Sequence, residues 1–194
     1  MDIINRVKNI LVSPKTEWTT IEAENEPHVK LFTTYVVPLS LISAIAAFIG
    51  YGVIGMSIFG VRVAMIGLGI RMAAVQLISM LVGVYLTAFI INILADNFGA
   101  KKDLNRAFSL VAYSYTAMFV AGVFLLLPSL SWITTITGIY SLYLLYIGLQ
   151  PMMKAPADKQ TVYFVVTLLV MLVISFGLMY AMRSILFPGF GLYM

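Results

Sequence analysis

The sequence predicts an all-α membrane protein: five transmembrane helices in a bundle, preceded by an amphipathic helix at the membrane interface. Three observations predict it. Of the 194 residues, 61% are hydrophobic and only 10% charged, whereas a soluble domain carries about 25% charged residues. Five stretches, 31–54, 73–95, 107–127, 130–150 and 162–182, are continuous and mostly apolar. Each is long enough to cross a hydrocarbon core of about 30 Å at a rise of 1.5 Å per residue. None shows the alternation of a barrel strand, and a helix is the other way to satisfy backbone groups in lipid.

Taken in order, residues 1–30 read as a cytosolic amphipathic segment and 31–194 as the membrane domain. Asp2 can cap a first helix on which Ile3, Ile4, Val7, Ile10 and Leu11 share a face. Arg6 and Lys8 are expected to meet lipid headgroups. Ser13-Pro14 signals a second helix, with a capping serine and proline at the first helical position. Trp18 and Ile21 on it are expected as interfacial anchors, before Glu22, Glu24 and Glu26 lead into the cytosol. No apolar signal-peptide region lies in this stretch, so the first span is expected to act as its own insertion signal.

Pro38 falls early in the first span, where a modest kink is tolerated. The loop 55–72 is apolar but broken by Gly55, Gly60, Gly67 and Gly69, with Arg62 and Arg71. A course along the membrane surface is expected for it rather than a re-entrant one. Pro128, Pro151, Pro156 and Pro188 are expected to mark boundaries. The Pro128-Ser129 link makes the third and fourth spans an antiparallel hairpin, with Ser131 as N-cap and Trp132 at the interface.

Basic residues set the orientation. The N-terminal segment (Arg6, Lys8, Lys15, Lys30), the second loop (Lys101, Lys102, Arg106) and the fourth (Lys154, Lys159) hold nine of them; Arg62, Arg71 and Arg183 on the opposite side make three. By the positive-inside rule the N-terminus is cytoplasmic and the C-terminus outside. The same rule explains the net charge of +4 without nucleic acid.

Several motifs stand in order: Ser13-Pro-Lys-Thr-Glu-Trp-Thr-Thr-Ile21, Asp96-Asn-Phe-Gly-Ala-Lys-Lys-Asp103, Ala112-Tyr-Ser-Tyr-Thr116, Gly138-Ile-Tyr-Ser-Leu-Tyr-Leu-Leu-Tyr-Ile-Gly148 and Met152-Met-Lys-Ala-Pro-Ala-Asp-Lys159. Together they resemble the Yip family, five-span proteins named for interacting with Rab-type GTPases in eukaryotes. The short N-terminus is similar to that of prokaryotic members, which implies a bacterial inner membrane. The resemblance implies a five-helix bundle with a cytosolic N-terminus, but the Rab-binding role does not carry over to bacteria. Relatives often have proline where this chain has Ala117, so no proline kink is expected there.

The chemistry of the side chains excludes several classes. With no cysteine and one histidine, His28, neither a zinc site nor a catalytic triad is expected, and no phosphate-binding glycine loop is present. No cofactor or metal is expected, and no enzymatic activity. Polar groups inside the spans are more telling, because each is costly unless it faces protein or water. Asn92 and Asp96 could form the mouth of a polar cavity, with Tyr113, Thr116, Tyr140, Tyr143 and Gln150 lining it. Small residues, including Ser114, Ala117 and Ala121 on the third span and Thr134, Gly138, Ser141 and Gly148 on the fourth, suit close helix packing and a homo-oligomer.

Two functions follow. The first is a non-enzymatic scaffold or adaptor that binds protein partners and membrane lipids at its cytosolic face, through Arg6, Lys8, Trp18, Lys101, Lys102, Lys154 and Lys159. The second is a channel or transporter for a small solute, ion or lipid through the tyrosine-lined cavity. No charged group lies at the centre of any span, which favours the first.

Overall fold

The computed structural model describes residues 2–58 and 61–186. Five of its helices are long and apolar enough to span a membrane: His28–Ile54, Ile66–Phe98, Leu104–Leu126, Trp132–Met153 and Ala157–Gly177. Two shorter helices, α1 (Ile3–Val12) and α2 (Pro14–Glu24), precede them. Asp2 caps α1 by accepting from the amides of Ile4 and Asn5, as expected of an N-cap aspartate. Pro14 opens α2, which ends on Asn25 in the left-handed conformation.

The first span absorbs its proline with a π-turn. Pro38 has no amide hydrogen and its ring crowds the carbonyl four residues back, and the preceding residues, Phe32–Val36, run as π-helix. The span ends in another π-segment, Ile49–Ile54, closed by Gly55 at φ +81°. A side chain at Gly55 would strike the backbone of Val63 and Ala64, so the turn requires glycine.

The loop that follows is shorter than the sequence suggested. Met56–Ile58 and Val61–Val63, β1 and β2, pair as antiparallel strands in the register Met56 with Val63 and Ile58 with Val61. The second span then begins at Ile66, not near residue 73. Its early start is a packing effect. A Cβ on Gly69 would lie 2.5 Å from the Gly52 Cα, so two glycines let the first and second spans touch backbone to backbone.

The third span is the most enclosed, with 67% of its apolar stretch buried against 17% in the fifth. Asp103 caps it by accepting from the Arg106 amide. The helix breaks at Tyr115 even though Ala117 replaces the family's proline: Leu104–Ser114 and Thr116–Ala121 are separate helical segments, followed by a tighter 3-10 tail over Gly122–Leu126. Seams of small residues join it to the first span. Ser43 Oγ donates to the Phe119 carbonyl at 2.9 Å, and the Cα of Gly122 lies where any larger residue would strike Ser43.

Two boundaries differ in the fourth span. Ser131 makes no side-chain cap; its carbonyl instead accepts from the Thr134 amide at 3.1 Å and hydroxyl at 2.6 Å. Pro151 lies inside the helix, which runs on to Met153 and stops at Lys154 with φ +54°. The loop before the third span is tied there, Lys101 donating its amide to the Met153 carbonyl at 2.6 Å. Pro156 does mark a boundary, since the fifth helix starts at Ala157; Pro188 lies outside the described residues.

One hydrophobic core joins Ile10, Trp18 and Ile21 of the N-terminal helices to Tyr35, Phe108, Leu144 and Tyr163 of the spans. The apolar face of α1 is therefore turned into protein: Ile10 is fully buried and Ile3, Val7 and Leu11 pack against the core, while Ile4 and Val12 face outward. Burying Ile10 and Ile21 contributes about 1.5–3 kcal/mol each.

Candidate functional site

The charged chemistry of this protein gathers where α1 and α2 close over one end of the bundle. Arg6, expected at lipid headgroups, is 6% exposed. Its guanidinium donates to Glu17 and, at 2.5 Å, to both carboxylate oxygens of Glu24, and it sits 5.4 Å from the centre of the Tyr113 ring. An arginine suits this place because its planar fork pairs with two carboxylates and stacks on an aromatic face. Burial opposes its charge, but the two carboxylates outweigh that and hold the guanidinium above its ordinary pKa.

Trp18, expected as an interfacial anchor, is also interior. It is 1% exposed, lies edge-on to Tyr113 at 6.5 Å and packs on Gly148 of the fourth span. A Cβ at Gly148 would come within 2.6 Å of the indole, so the conspicuous glycine of the tyrosine-rich motif is the seat of the conspicuous tryptophan of the N-terminal motif. Sequence reasoning found both and did not pair them. Gly138, in the same stripe, has no neighbour within 4 Å.

Around this buried clasp lies a second ring of ion pairs. Glu22 accepts from Lys154 and lies 3.8 Å from Arg106, which also pairs with Asp103 at 3.6 Å. Lys102 reaches Asp96 at 3.4 Å. His28 donates its amide to Asn105 Oδ1 at 3.0 Å, and its ring Nδ1 meets the same oxygen at 2.6 Å. Sequence reasoning overlooked Glu22, Glu24 and Arg106 as tethers, because acidic residues next to a span read equally well as solvated.

The Lys154 ammonium holds the Glu22 carboxyl below the usual carboxylate range. A carboxylate with a lowered folded-state pKa stabilises the fold above its unfolded value, near 4.3, and loses that contribution as pH falls through the lowered one. Acidification below about pH 4 is therefore expected to loosen α2 from the third and fourth spans. Hydrogen exchange of the α2 amides measured across pH 7 to 3 checks this, with Glu22→Gln showing the loosening already at neutral pH.

The other candidate residues are dispersed. Thr116 is fully buried and bonded to the Tyr35 hydroxyl at 2.7 Å, with Tyr113 against the Tyr35 ring at 5.0 Å. Tyr140 donates to the Leu11 carbonyl at 2.7 Å, fastening α1, while Tyr143 beside it is 43% exposed. Asn92 has a buried Oδ1 with no hydrogen-bond partner, and Asp96 is exposed. Gln150 lies in an open cleft with Lys15, Trp18 and Gln160. Lys8, Lys101, Lys102, Lys154 and Lys159 are exposed. Among the described residues no cluster of His, Cys, Asp and Glu could hold a metal.

The sequence has counterparts among known proteins. The model of the Yip1 domain matches residues 8–179. The chain belongs to the Yip1 family. The match begins inside α1, after Arg6, and takes in α2 with Glu17, Trp18 and Glu24 as well as the five spans. Among curated relatives, the inner membrane protein YohC of Escherichia coli strain K12 is 28% identical over 152 residues, which is 75% of this chain and 77% of the relative. YohC of Escherichia coli O6:H1 matches to the same extent. No solved structure matches the chain.

Proposed function

We propose that this Yip1-family protein is a non-enzymatic scaffold or adaptor of a bacterial inner membrane, with its N-terminus cytoplasmic and its C-terminus outside. Partners dock on the face made by α1, α2 and the loops at 96–106 and 151–161. The observation that carries this reading is the clasp. Arg6 locks α1 to Glu17 and Glu24 of α2 and stacks on Tyr113, Glu22 ties α2 to Lys154 and Arg106 of the bundle end, and Lys8, Lys101, Lys102, Lys154 and Lys159 stand exposed around them. A charged surface held in one geometry favours selective electrostatic docking. The inner-membrane assignment rests on the relatives' names and the orientation on the excess of basic residues at this end.

The dispersal of the polar residues weighs against a conduit. Tyr35, Tyr113 and Thr116 pack on one another in the core, remote in their contacts from Asn92 and Asp96.

Two measurements test the proposal together. Liposomes holding the purified protein are expected to show no ion flux, solute release or lipid scrambling above empty ones. Photocrosslinkers at Lys8 and Lys101 are expected to capture a partner of reproducible mass that Lys101→Glu/Lys102→Glu loses. Flux that a Tyr140→Phe/Asn92→Ala variant abolishes would overturn the proposal in favour of transport. A product at twice the chain's own mass would make the partner a second copy.

A further inference from the structure

We infer that the cleft between α2 and the ends of the fourth and fifth spans is a binding site for one anionic phospholipid, its phosphate seated on Lys15 and the Trp18 indole N–H. The open cleft has a volume of about 330 Å³ and is lined by Lys15, Trp18, Tyr146, Ile147, Gln150, Pro151 and Gln160. That volume suits a headgroup.

Two of its donors are unspent. Trp18 is 1% exposed, yet its Nε1 has no hydrogen-bond partner among the described residues. A buried N–H left unbonded is costly unless a ligand or water completes it. Lys15 is exposed and forms no ion pair among the described residues, and it stands in the first turn of α2, where the free amides and the helix dipole favour an anion. The carboxylates of α2 are turned elsewhere: Glu17 and Glu24 to Arg6, Glu22 to Lys154.

An acceptor completes the set. Pro151 has no amide hydrogen to offer the Ile147 carbonyl, and both residues line the cleft. The neighbouring Tyr146 carbonyl is instead taken by the Gln160 side chain at 2.7 Å. A phosphoglycerol headgroup brings both a phosphate for the donors and hydroxyls for the Ile147 carbonyl.

The place favours a lipid over a free anion. The cleft lies where the fourth span ends and the fifth begins, and on the fourth span Ile139, in line with Tyr146 and Gln150 by helical spacing, is 67% exposed, a surface that an acyl chain covers. The site is independent of the scaffold reading; only the leaflet rests on the proposed orientation.

The test uses full-length protein in a neutral detergent, titrated with phosphatidylglycerol and followed by native mass spectrometry. One lipid per chain is expected to be retained. Lys15→Glu is expected to weaken it about tenfold and Trp18→Phe, which keeps an aromatic ring but loses the pyrrole ring with its N–H, about threefold. Lys8→Glu, the same charge change on α1, is expected to leave it unaltered. Lys15 is exposed, so its substitution does not threaten the fold, and circular dichroism checks this. Equal weakening by Lys8→Glu and Lys15→Glu, or none by Lys15→Glu, overturns the proposal. So does equal displacement by inorganic phosphate, which would make the ligand a soluble anion.

Discussion

Replacing Arg6 by alanine is expected to destabilise the protein by about 3–5 kcal/mol, because it strands a buried carboxylate. Glu17 is as enclosed as Arg6, their side chains being 10% and 6% exposed. Without the guanidinium, Glu17 must take up a proton or drag α2 toward water, and either response opens the clasp. Glu24, at 38% exposure, can turn outward and contributes less. Removing both buried partners together is a different matter. Arg6→Met with Glu17→Leu leaves no orphaned charge and is expected to be near neutral, or stabilising. Apparent thermal midpoints in detergent, with proteolysis of the segment 3–24, distinguish the cases. The single variant should melt early and be cleaved; the double variant should do neither.

Gly50→Ala is expected to be as damaging for a steric reason. A methyl group there would fall inside contact distance of the Leu125 carbonyl oxygen and within 3.1 Å of the Leu126 one. Both belong to the backbone of the third span's 3-10 tail, so no rotamer change relieves the clash. The spans must separate, at a cost of about 1–3 kcal/mol or more. Gly67→Ala and Gly138→Ala are the controls. Neither glycine has a neighbour within 4 Å, and alanine favours the helix by about 1 kcal/mol, so both should match or exceed the parent midpoint.

Most of the fold was legible because the bilayer imposes it. Apolar length located the five spans, and proline and glycine located several ends. The start of the second span was missed because Gly67 and Gly69 read as loop; their role is visible only once Gly52 is known to lie opposite. Pro151 read as a boundary because proline breaks helices, yet near a helix end it removes one bond and the turn continues. The break at Tyr115 had no proline to announce it.

The N-terminal segment was misread for an instructive reason. A helix with one apolar face suits a membrane surface and a protein surface equally well, and nothing within residues 1–30 separates them. The deciding partners, Tyr113, Tyr140, Gly148 and Lys154, are more than 90 positions away in the chain. The tyrosines were noticed for their polarity and given to a single cavity. In the structure they serve separate ends, Tyr113 beneath Arg6 and Tyr140 on the Leu11 carbonyl.

The same separation sets an order of events during biosynthesis. The clasp is translated first, but its seat is complete only when Lys154 has left the ribosome. Until then α1 and α2 have a finished apolar face and no place in the protein to put it. In the orientation proposed above, the segment stays on the side where it was made while three spans thread and the fourth returns. Only then can Ile10, Trp18 and Ile21 reach the core they share with the spans, so the first helices made are among the last to be packed.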